Sequence, residues 1–395
     1  MPHPKAKYAY DVIIIGGGIH GVGVAQAAAA LGYRTLLMEK NTVGSGTSSR
    51  SSKLIHGGLR YLESHQFQVV RACLAERQRL LYLAPELVKL VHHYIPVYHH
   101  SSRGSWKIRL GLSLYQMLGQ LHPSTRFQTL PEHQWENLDG LVQHDLDTVF
   151  QYWDAQTNDL HLTCAVAHSA QVLGAELLEH ATLEHIELID HGIECAYRRN
   201  NQSHSVTAHL LINASGPWVN QILQQVSPPT PMLPMDRVQG SHILLDHPAP
   251  KGIYYVEAPA DQRAVFIMPW QGKTLVGTTE TPFSGNPDEV TPTDTEIRYL
   301  QATVKAYFPH INVDPIDQFA GLRVLPDSDK SPFSRSRETV LHPDQIKHPR
   351  IVTIYGGKLT EYRLVSERLM KKMQAFLPAR TAIACTMDLP LTPQS

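Results

Sequence analysis

The stretch from Asp11 to Glu39, DVIIIGGGIHGVGVAQAAAALGYRTLLME, constrains the fold of this chain more than any other. An apolar run, a glycine turn, an alanine-rich segment and a second apolar run follow one another, which predicts a βαβ unit. Gly16 permits the tight turn, Gly18 lets the backbone approach a pyrophosphate, and Gly21 allows the helix to pack close to the strand. Glu39 is expected to accept hydrogen bonds from a ribose hydroxyl. The unit therefore predicts a site for FAD or NAD.

Bulk composition is that of an ordinary globular protein. The 395 residues suffice for two domains, and a formal net charge of −1 gives no reason to expect nucleic acid as a partner. The four cysteines are scattered without metal-ligand or disulfide spacing, so we expect free thiols, a reducing compartment and no metal site. The first ten residues lack the pattern of a signal peptide, and we expect a cytoplasmic protein.

The apolar segments predict two interleaved domains. A helix is expected from Phe67 to about Pro85, and further nucleotide-domain elements are expected at Leu210–Ala214 and Ile351–Ile354, with a last helix from about Glu361 to Phe376. Strand-like segments at 241–245, 264–269 and 273–278 predict a second sheet. The predicted fold class is α/β with an α+β cap. A Rossmann-like FAD-binding domain (1–85, 150–228 and 325–395) is interleaved with an antiparallel-sheet substrate cap (86–149 and 229–324).

A basic and aromatic stretch, RGSWKIRLGLSLYQML, runs from Arg103 to Leu118. Its spacing favours a helix inside the cap over an amphipathic helix that touches a membrane or a partner protein. The sequence leaves both interpretations open.

A polar loop at Thr47–Glu63, TSSRSSKLIHGGLRYLE, predicts a binding site. Its hydroxyl groups and lysine suit the phosphates or ribitol of a cofactor, and two adjacent glycines permit close backbone approach. The cofactor-binding candidates here are Thr47, Ser48, Ser52, Lys53, Gly57 and Gly58. His56, Arg60 and Tyr61 flank the glycines and are candidates for the chemistry.

Three cations near turns of the C-terminal half suggest an anionic substrate. Arg323 lies in AGLRVLP, Arg337 in SPFSRSRET and Lys358 in YGGKLTEY. The planar guanidinium suits phosphate or carboxylate, and a lysine beside two glycines approaches an anion as a point charge.

Several segments together resemble the FAD-dependent glycerol-3-phosphate dehydrogenase family. The resemblance runs in order from about Tyr8 to Leu377, and it rests on TSSRSSKLIHGGLRYLE, NASGPW, GSHI, PWQGKTLVGTTE, GLRVLP and YGGKLTEYR. It implies a fold of the glycine-oxidase and D-amino-acid-oxidase type. It also implies FAD as cofactor, oxidation of sn-glycerol 3-phosphate to dihydroxyacetone phosphate, and transfer of the electrons to quinone or another acceptor. A quinone acceptor implies peripheral contact with the cytoplasmic face of a membrane.

The resemblance also implies roles for individual residues. His56, Arg60 and Tyr61 are placed beside the substrate, while Arg323, Arg337 and Lys358 surround its phosphate or the developing ketone. Contacts to the flavin are implied for Gly216, Gly356, Gly357 and Thr360. His56 is the preferred general base because an ordinary histidine, with a pKa of about 6.5, can accept a hydroxyl proton near neutral pH. Arg60 or Arg323 is expected to stabilise negative charge on the substrate oxygen.

The sequence departs from the family pattern at several positions. Arg50 replaces a small residue, Gln239 a lysine, Glu280 an aspartate, Val324 a proline and Glu361 a threonine. Family members continue into a helical C-terminal domain, which is not expected within these 395 residues. Two alternatives stay open: a flavoenzyme acting on another small hydroxy acid or amino acid, and a flavin-binding partner protein without turnover.

Overall fold

Two sheets and their flanking helices make up the protein. The computed structural model describes residues 8–326 and 339–393. Within these ranges the α-helices are α1 (Ile19–Ala30), α2 (Phe67–Leu83), α3 (Ser105–Leu118), α4 (Asp159–Val172), α5 (Val219–Leu223), α6 (Asp294–Tyr307) and α7 (Tyr362–Met373). The strands are β1 (Tyr10–Ile15), β2 (Thr35–Met38), β3 (Leu54–Ile55), β4 (Val88–Tyr98), β5 (Phe127–Thr129), β6 (Leu146–Thr157), β7 (Glu176–Leu178), β8 (Thr182–Ile189), β9 (Gly192–Arg199), β10 (Gln202–Asn213), β11 (Val226–Ser227), β12 (Met235–Pro248), β13 (Ile253–Glu257), β14 (Ala264–Trp270), β15 (Lys273–Gly277), β16 (Thr281–Phe283), β17 (Pro315–Pro326), β18 (Val340–Pro343) and β19 (Ile351–Tyr355).

The first sheet contains the predicted βαβ unit. Its strand order is β11-β8-β9-β10-β1-β2-β7, and β19 joins along the C-terminal part of β10. Strands β2, β1, β10 and β19 are parallel to one another, with Val12 opposite both Thr35 and Leu210. Parallel strands covered on both faces are uniformly apolar, which explains why β1 is buried after its first residue. The Rossmann-like prediction for this region is confirmed.

Helix α1 is held against the first sheet by its small residues. It packs between α4 and α7, and its apolar side chains join the largest buried cluster of the protein. Gly23 permits the approach of α7, because a Cβ atom there would lie 2.7 Å from the Tyr362 ring and 2.8 Å from Ser366 Oγ. The alanine-rich composition of α1 therefore serves close helix packing.

The second sheet is mostly antiparallel and has the order β16-β12-β15-β14-β13-β4-β6-β3, with β17 on β12 and β5 on β6. Strands β13 and β4 form a parallel pair within it. Long strands β12 and β17 are antiparallel, and this register brings Gly240 opposite Gly321 and Val238 opposite Arg323. The predicted cap sheet is confirmed. The domain boundaries stay a prediction. Strands β3 and β6 pair with each other in this second sheet, and β6 extends across the boundary predicted at residue 149.

Candidate active site

A cavity of about 650 Å³ lies where the two sheets meet. Ligand pockets of proteins are typically about 300–1,000 Å³. Its wall contains the β1–α1 turn, the polar loop before β3, residues of β12 and β17, and the loop after β19. Among the predicted site residues, those that line it are Gly16, Gly18, Glu39, Thr47, Ser48, Ser52, His56, Tyr61, Gly216, Arg323, Gly356, Gly357, Lys358 and Thr360.

The β1–α1 turn has the shape that a dinucleotide requires. Gly16 has a φ of +105°, and a Cβ atom there would lie 2.8 Å from the Ala214 carbonyl oxygen. A Cβ on Gly21 would overlap the carbonyl oxygen of Gly16, so only glycine lets α1 start so close to β1. Gly18 precedes the first turn of α1, where helix N–H groups have no partner within the helix; Ser48 Oγ accepts the one of Ile19. This cradle fits a pyrophosphate.

Glu39 follows β2 and borders the same cavity. Its Oε2 accepts a hydrogen bond from Gly17 N at 2.7 Å, and its Oε1 accepts one from Asn41 N at 2.8 Å. Both bonds fix the carboxylate in place, and each oxygen keeps a further lone pair. The predicted bond from a ribose hydroxyl therefore remains geometrically available.

Most hydroxyl groups of the polar loop have defined partners. Ser48 Oγ accepts a hydrogen bond from Ile19 N at 2.8 Å, which joins the loop to the start of α1. Thr47 Oγ1 donates to the Leu322 carbonyl oxygen at 3.0 Å, which joins it to β17. The loop thus holds the two sheets together around the cavity.

Lys53 has its partners inside the protein, and its contact with the cofactor stays a prediction. Its ammonium group is buried and lies 2.7 Å from Asp159 Oδ1 and 2.6 Å from the Ser49 carbonyl oxygen. Asp159 also accepts hydrogen bonds from the N–H and hydroxyl of Ser51. We therefore assign Lys53 to the stabilisation of the loop, because a buried ammonium needs a nearby carboxylate.

Gly57 and Gly58 allow other side chains of the protein to approach the backbone closely. Gly57 N donates to Tyr115 Oη at 2.9 Å, and a Cβ on Gly57 would lie 2.5 Å from that oxygen. Gly58 has a φ of +73°, and a Cβ there would overlap the ring of Tyr61. The structure gives these glycines packing contacts within the protein, and their contact with the cofactor stays a prediction.

His56 is held on both sides. Its backbone N–H donates to Thr360 Oγ1 at 3.3 Å, and the backbone N–H of the adjoining Gly57 donates to Tyr115 Oη. The Tyr115 hydroxyl donates to Asp154 Oδ2 at 2.6 Å, and Asp154 forms a buried ion pair with Arg77 at 2.6 Å. A buried network thus positions the backbone that carries His56.

Arg60 and Arg323 share one carboxylate. Glu280 Oε1 lies 3.0 Å from Arg323 Nη1 and 3.4 Å from Arg60 Nη1. Arg323 Nη2 also donates to the Thr279 carbonyl oxygen at 3.1 Å. Arg323 lines the cavity. Arg60 is not among the lining residues and is joined to Arg323 through Glu280.

Lys358 has a second carboxylate behind it. Its Nζ lies 3.1 Å from Glu361 Oε2 and 4.1 Å from the centre of the Tyr61 ring. Burial lowers the pKa of Lys358, but Tyr61, Cys73 and Glu361 outweigh burial and leave that pKa raised. The ammonium therefore stays charged at the cavity wall.

The loops that follow β10 and β19 complete the cavity wall. Gly216, Gly356 and Gly357 have φ values of +58°, +74° and +111°, which favour glycine. Arg337 lies outside the described residues.

Two histidines of the cavity wall were not predicted. His20 lies in the glycine turn beside Gly357, and His242 lies on β12 within the GSHI segment. A position in a cavity is set by strand register and helix packing, which no local pattern encodes. The only sequence signal was that His242 falls in a segment shared with the family.

Comparison with known proteins defines the class. Residues 11–362 match the FAD dependent oxidoreductase family. The chain is 37% identical to a glycerol-3-phosphate dehydrogenase of Synechocystis sp. over 97% of its own length and 73% of that protein. It is 34% identical to D-erythritol 1-phosphate dehydrogenase of Brucella abortus over 93% of its length and 74% of that protein.

A solved structure supports the same assignment of fold. The glycerol-3-phosphate dehydrogenase of Bacillus halodurans, complexed with FAD, superposes with a TM-score of 0.75 at 24% identity, over 97% of this chain and 67% of that one. The chain belongs to the FAD-dependent oxidoreductases, and within them to the glycerol-3-phosphate dehydrogenase family. The cofactor is therefore FAD rather than NAD. Within the described ranges, no helix is both long and apolar enough to span a bilayer.

Proposed function

We propose that this protein oxidises sn-glycerol 3-phosphate to dihydroxyacetone phosphate with FAD as the hydride acceptor. One observation carries the proposal: a single cavity joins the dinucleotide cradle of Gly16 and Gly18 to His56, Arg323 and Lys358. A base and two cations in the wall of a flavin site suit an anionic alcohol. The glycerol-3-phosphate dehydrogenase relative supports the choice of substrate.

The cofactor and the chain divide the chemistry. When bound, FAD supplies the acceptor for the hydride that leaves carbon 2 of the alcohol. His56 takes the hydroxyl proton on a ring nitrogen, so that the carbon–oxygen double bond forms as the carbon–hydrogen bond breaks. The backbone N–H groups of His56 and Gly57 donate to Thr360 Oγ1 and Tyr115 Oη, which fixes the backbone that carries this imidazole.

The phosphate is held by Arg323 and Lys358. Both cations line the cavity, and both are fixed from behind by a carboxylate, Glu280 or Glu361. A guanidinium and an ammonium that are already oriented lose little freedom when they bind a phosphate. The catalytic role of Arg60 stays a prediction, because Arg60 is not among the residues that line the cavity and is joined to Arg323 through Glu280.

Turnover with an artificial electron acceptor tests the proposal. Incubation with sn-glycerol 3-phosphate should reduce the dye and yield dihydroxyacetone phosphate, identified by mass spectrometry. The same assay should be run with D-erythritol 1-phosphate, glycine and lactate. Preference for D-erythritol 1-phosphate would replace the proposed substrate with the one named for the Brucella relative. Preference for glycine or lactate would replace the phosphate proposal, and a lack of turnover on all four would favour a non-catalytic flavin protein.

We also propose quinone as the natural acceptor and a membrane contact through α3. Ile108, Leu112 and Tyr115 of α3 are buried against the cap. The outer face exposes Trp106, Leu110 and Met117, at 72%, 61% and 60% of their surface. At about 100° per residue these three lie within roughly 40° of one another on the helix. Lys107, beside them, suits anionic headgroups.

Vesicle sedimentation tests the membrane contact. The protein should pellet with vesicles of phosphatidylglycerol and phosphatidylcholine, and the variant W106S/L110S should pellet less. A change at Tyr82, an exposed aromatic residue of α2, provides the control Y82S. Wild-type protein that stays in the supernatant would contradict the contact.

A further inference from the structure

His242 and Ser52 meet at the wall of the cavity. His242 lies on β12 with only 2% of its surface exposed, and its Nε2 is 3.0 Å from Ser52 Oγ. Both residues line the cavity. Such a contact between an imidazole and a hydroxyl can run in either direction, and the tautomer of the histidine decides which atom donates.

The imidazole is fixed in its position. Its ring stacks on Phe319 with the ring centres 4.9 Å apart and an angle of 14° between the planes. Gly277 lies opposite His242 on β15, and a Cβ atom there would overlap the imidazole. Packing on both sides therefore leaves the ring little freedom to turn away from Ser52.

The imidazole is also neutral. Burial, together with the nearby charges of Lys53 and Arg323, lowers the pKa of His242 to about 3. A neutral imidazole carries one N–H and one lone pair, so only one of its ring nitrogens can donate.

The surroundings of Nδ1 determine which tautomer of His242 is favoured. This atom is buried and has no hydrogen-bond partner among the described residues. A buried N–H without an acceptor is costly, whereas the donor position at Nε2 has Ser52 Oγ as its partner at 3.0 Å. The proton therefore belongs on Nε2, which donates to Ser52 Oγ.

We propose that His242 orients Ser52 as a hydrogen-bond donor to the bound FAD. Because Ser52 Oγ accepts the bond from His242, its own hydrogen is directed away from the histidine, and the hydroxyl lies at the cavity wall. Flavin nitrogens and carbonyl oxygens are acceptors for such a donor. His242 is a positioning residue, and Ser52 is the group that touches the cofactor.

This arrangement affects the reduction potential of the flavin. A donor to the flavin ring stabilises the electron-rich reduced form more than the oxidised form. The hydroxyl of Ser52 should therefore raise the midpoint potential of bound FAD. The inference concerns the cofactor alone and does not depend on which alcohol is oxidised.

The midpoint potential of the holoenzyme, measured without substrate, tests the inference. S52A should shift it to more negative values, and H242F, which keeps the aromatic stacking but has no N–H, should shift it in the same direction. The double variant S52A/H242F should lie no lower than S52A, because both changes remove one and the same interaction.

Two amides provide matched controls. H242Q places an amide N–H near the position of Nε2 and should keep the wild-type potential. H242N places its amide near Nδ1 and should behave like H242F, so this pair carries the test if H242F does not retain FAD. A wild-type potential in S52A would overturn the donor role. Equal potentials for H242Q and H242N, or additive shifts in the double variant, would overturn the positioning role.

Discussion

His56 is the residue on which the proposed proton transfer depends. Its backbone is tied to Thr360 and, through Gly57, to Tyr115. General base catalysis contributes about 10²–10⁴-fold to a rate. H56A should therefore slow flavin reduction by the substrate at least about 100-fold, while FAD stays bound, because the glycine cradle is unchanged.

Stopped-flow absorbance measures this rate, and the ratio of flavin to protein absorbance reports retained FAD. His65 is exposed and provides a matched control, so H65N should reduce at the wild-type rate. Wild-type kinetics in H56A would remove His56 as the base.

Arg323 should distinguish phosphate from hydroxyl recognition. A charge-assisted hydrogen bond contributes about 1.5–3 kcal/mol, or roughly 10- to 150-fold in affinity. R323A should raise KM for sn-glycerol 3-phosphate by about that factor, with a smaller effect on glycerol. Steady-state kinetics on both substrates measure the difference, with the exposed Arg198 as the control R198A. Equal losses on the two substrates would contradict phosphate recognition.

Among the elements, the β1–α1 turn leaves no room for a side chain at Gly21. A methyl group at Gly21 would overlap the carbonyl oxygen of Gly16, whereas Gly111 in α3 has open space around its Cβ position. Overpacking costs about 1–3 kcal/mol. G21A should therefore lose FAD affinity and unfold more easily. G111A should keep both properties or gain up to about 1 kcal/mol of stability, because alanine favours helix.

FAD titration by fluorescence and thermal unfolding measure both effects. If G21A bound FAD as tightly as G111A does, the close contact between α1 and β1 would not be what the cofactor needs.

Local sequence patterns predicted some elements well and could not predict others. The βαβ unit and α2 were predicted because each has an unbroken apolar period and a clear end signal. Strand β4 was missed, since its sequence VKLVHHYIPVY has no regular alternation and is organised by pairing with β6, some fifty residues later. Strand β9 was missed in the same way, although it is a hairpin partner of both β8 and β10.

The candidate site shows the same limit. The glycines of the turn could be assigned from spacing alone, because their roles are local. Lys53 was assigned to the cofactor, since nothing nearby in the sequence indicates that Asp159 lies 2.7 Å away. The Glu280 bridge between Arg60 and Arg323 likewise depends on strand register. Charge partners distant in sequence could not be deduced from composition.

At the scale of the whole molecule, buried histidines should make stability depend on pH. Burial lowers the pKa of His93 to about 4, while that of an unfolded histidine is about 6.5. Between these values the unfolded chain binds one more proton than the folded chain at this site. The free energy of unfolding should therefore fall as pH falls from 6.5 to 4, by up to about 1.4 kcal/mol per pH unit from this residue.

Urea unfolding at several pH values measures this dependence. H93N, which cannot titrate, should show a shallower loss of stability than wild type between pH 6.5 and 4. The exposed His144 offers the control H144N, which should follow the wild type. Parallel curves for wild type and H93N would contradict the account of a buried neutral imidazole.

The net charge of the whole chain is −1, so attraction of an anionic substrate must be local. Within the described residues, Arg60, Arg323 and Lys358 are each paired with Glu280 or Glu361. These carboxylates fix the cations while they reduce the positive charge. The substrate is therefore recognised by oriented donors more than by a strong long-range field.

Anaerobic mixing of the holoenzyme with sn-glycerol 3-phosphate tests the central claim most directly. The account predicts that the visible flavin absorbance bleaches in a single turnover and that one equivalent of dihydroxyacetone phosphate forms for each flavin. Flavin that stays oxidised with this substrate, in protein that dithionite reduces normally, would contradict the claim.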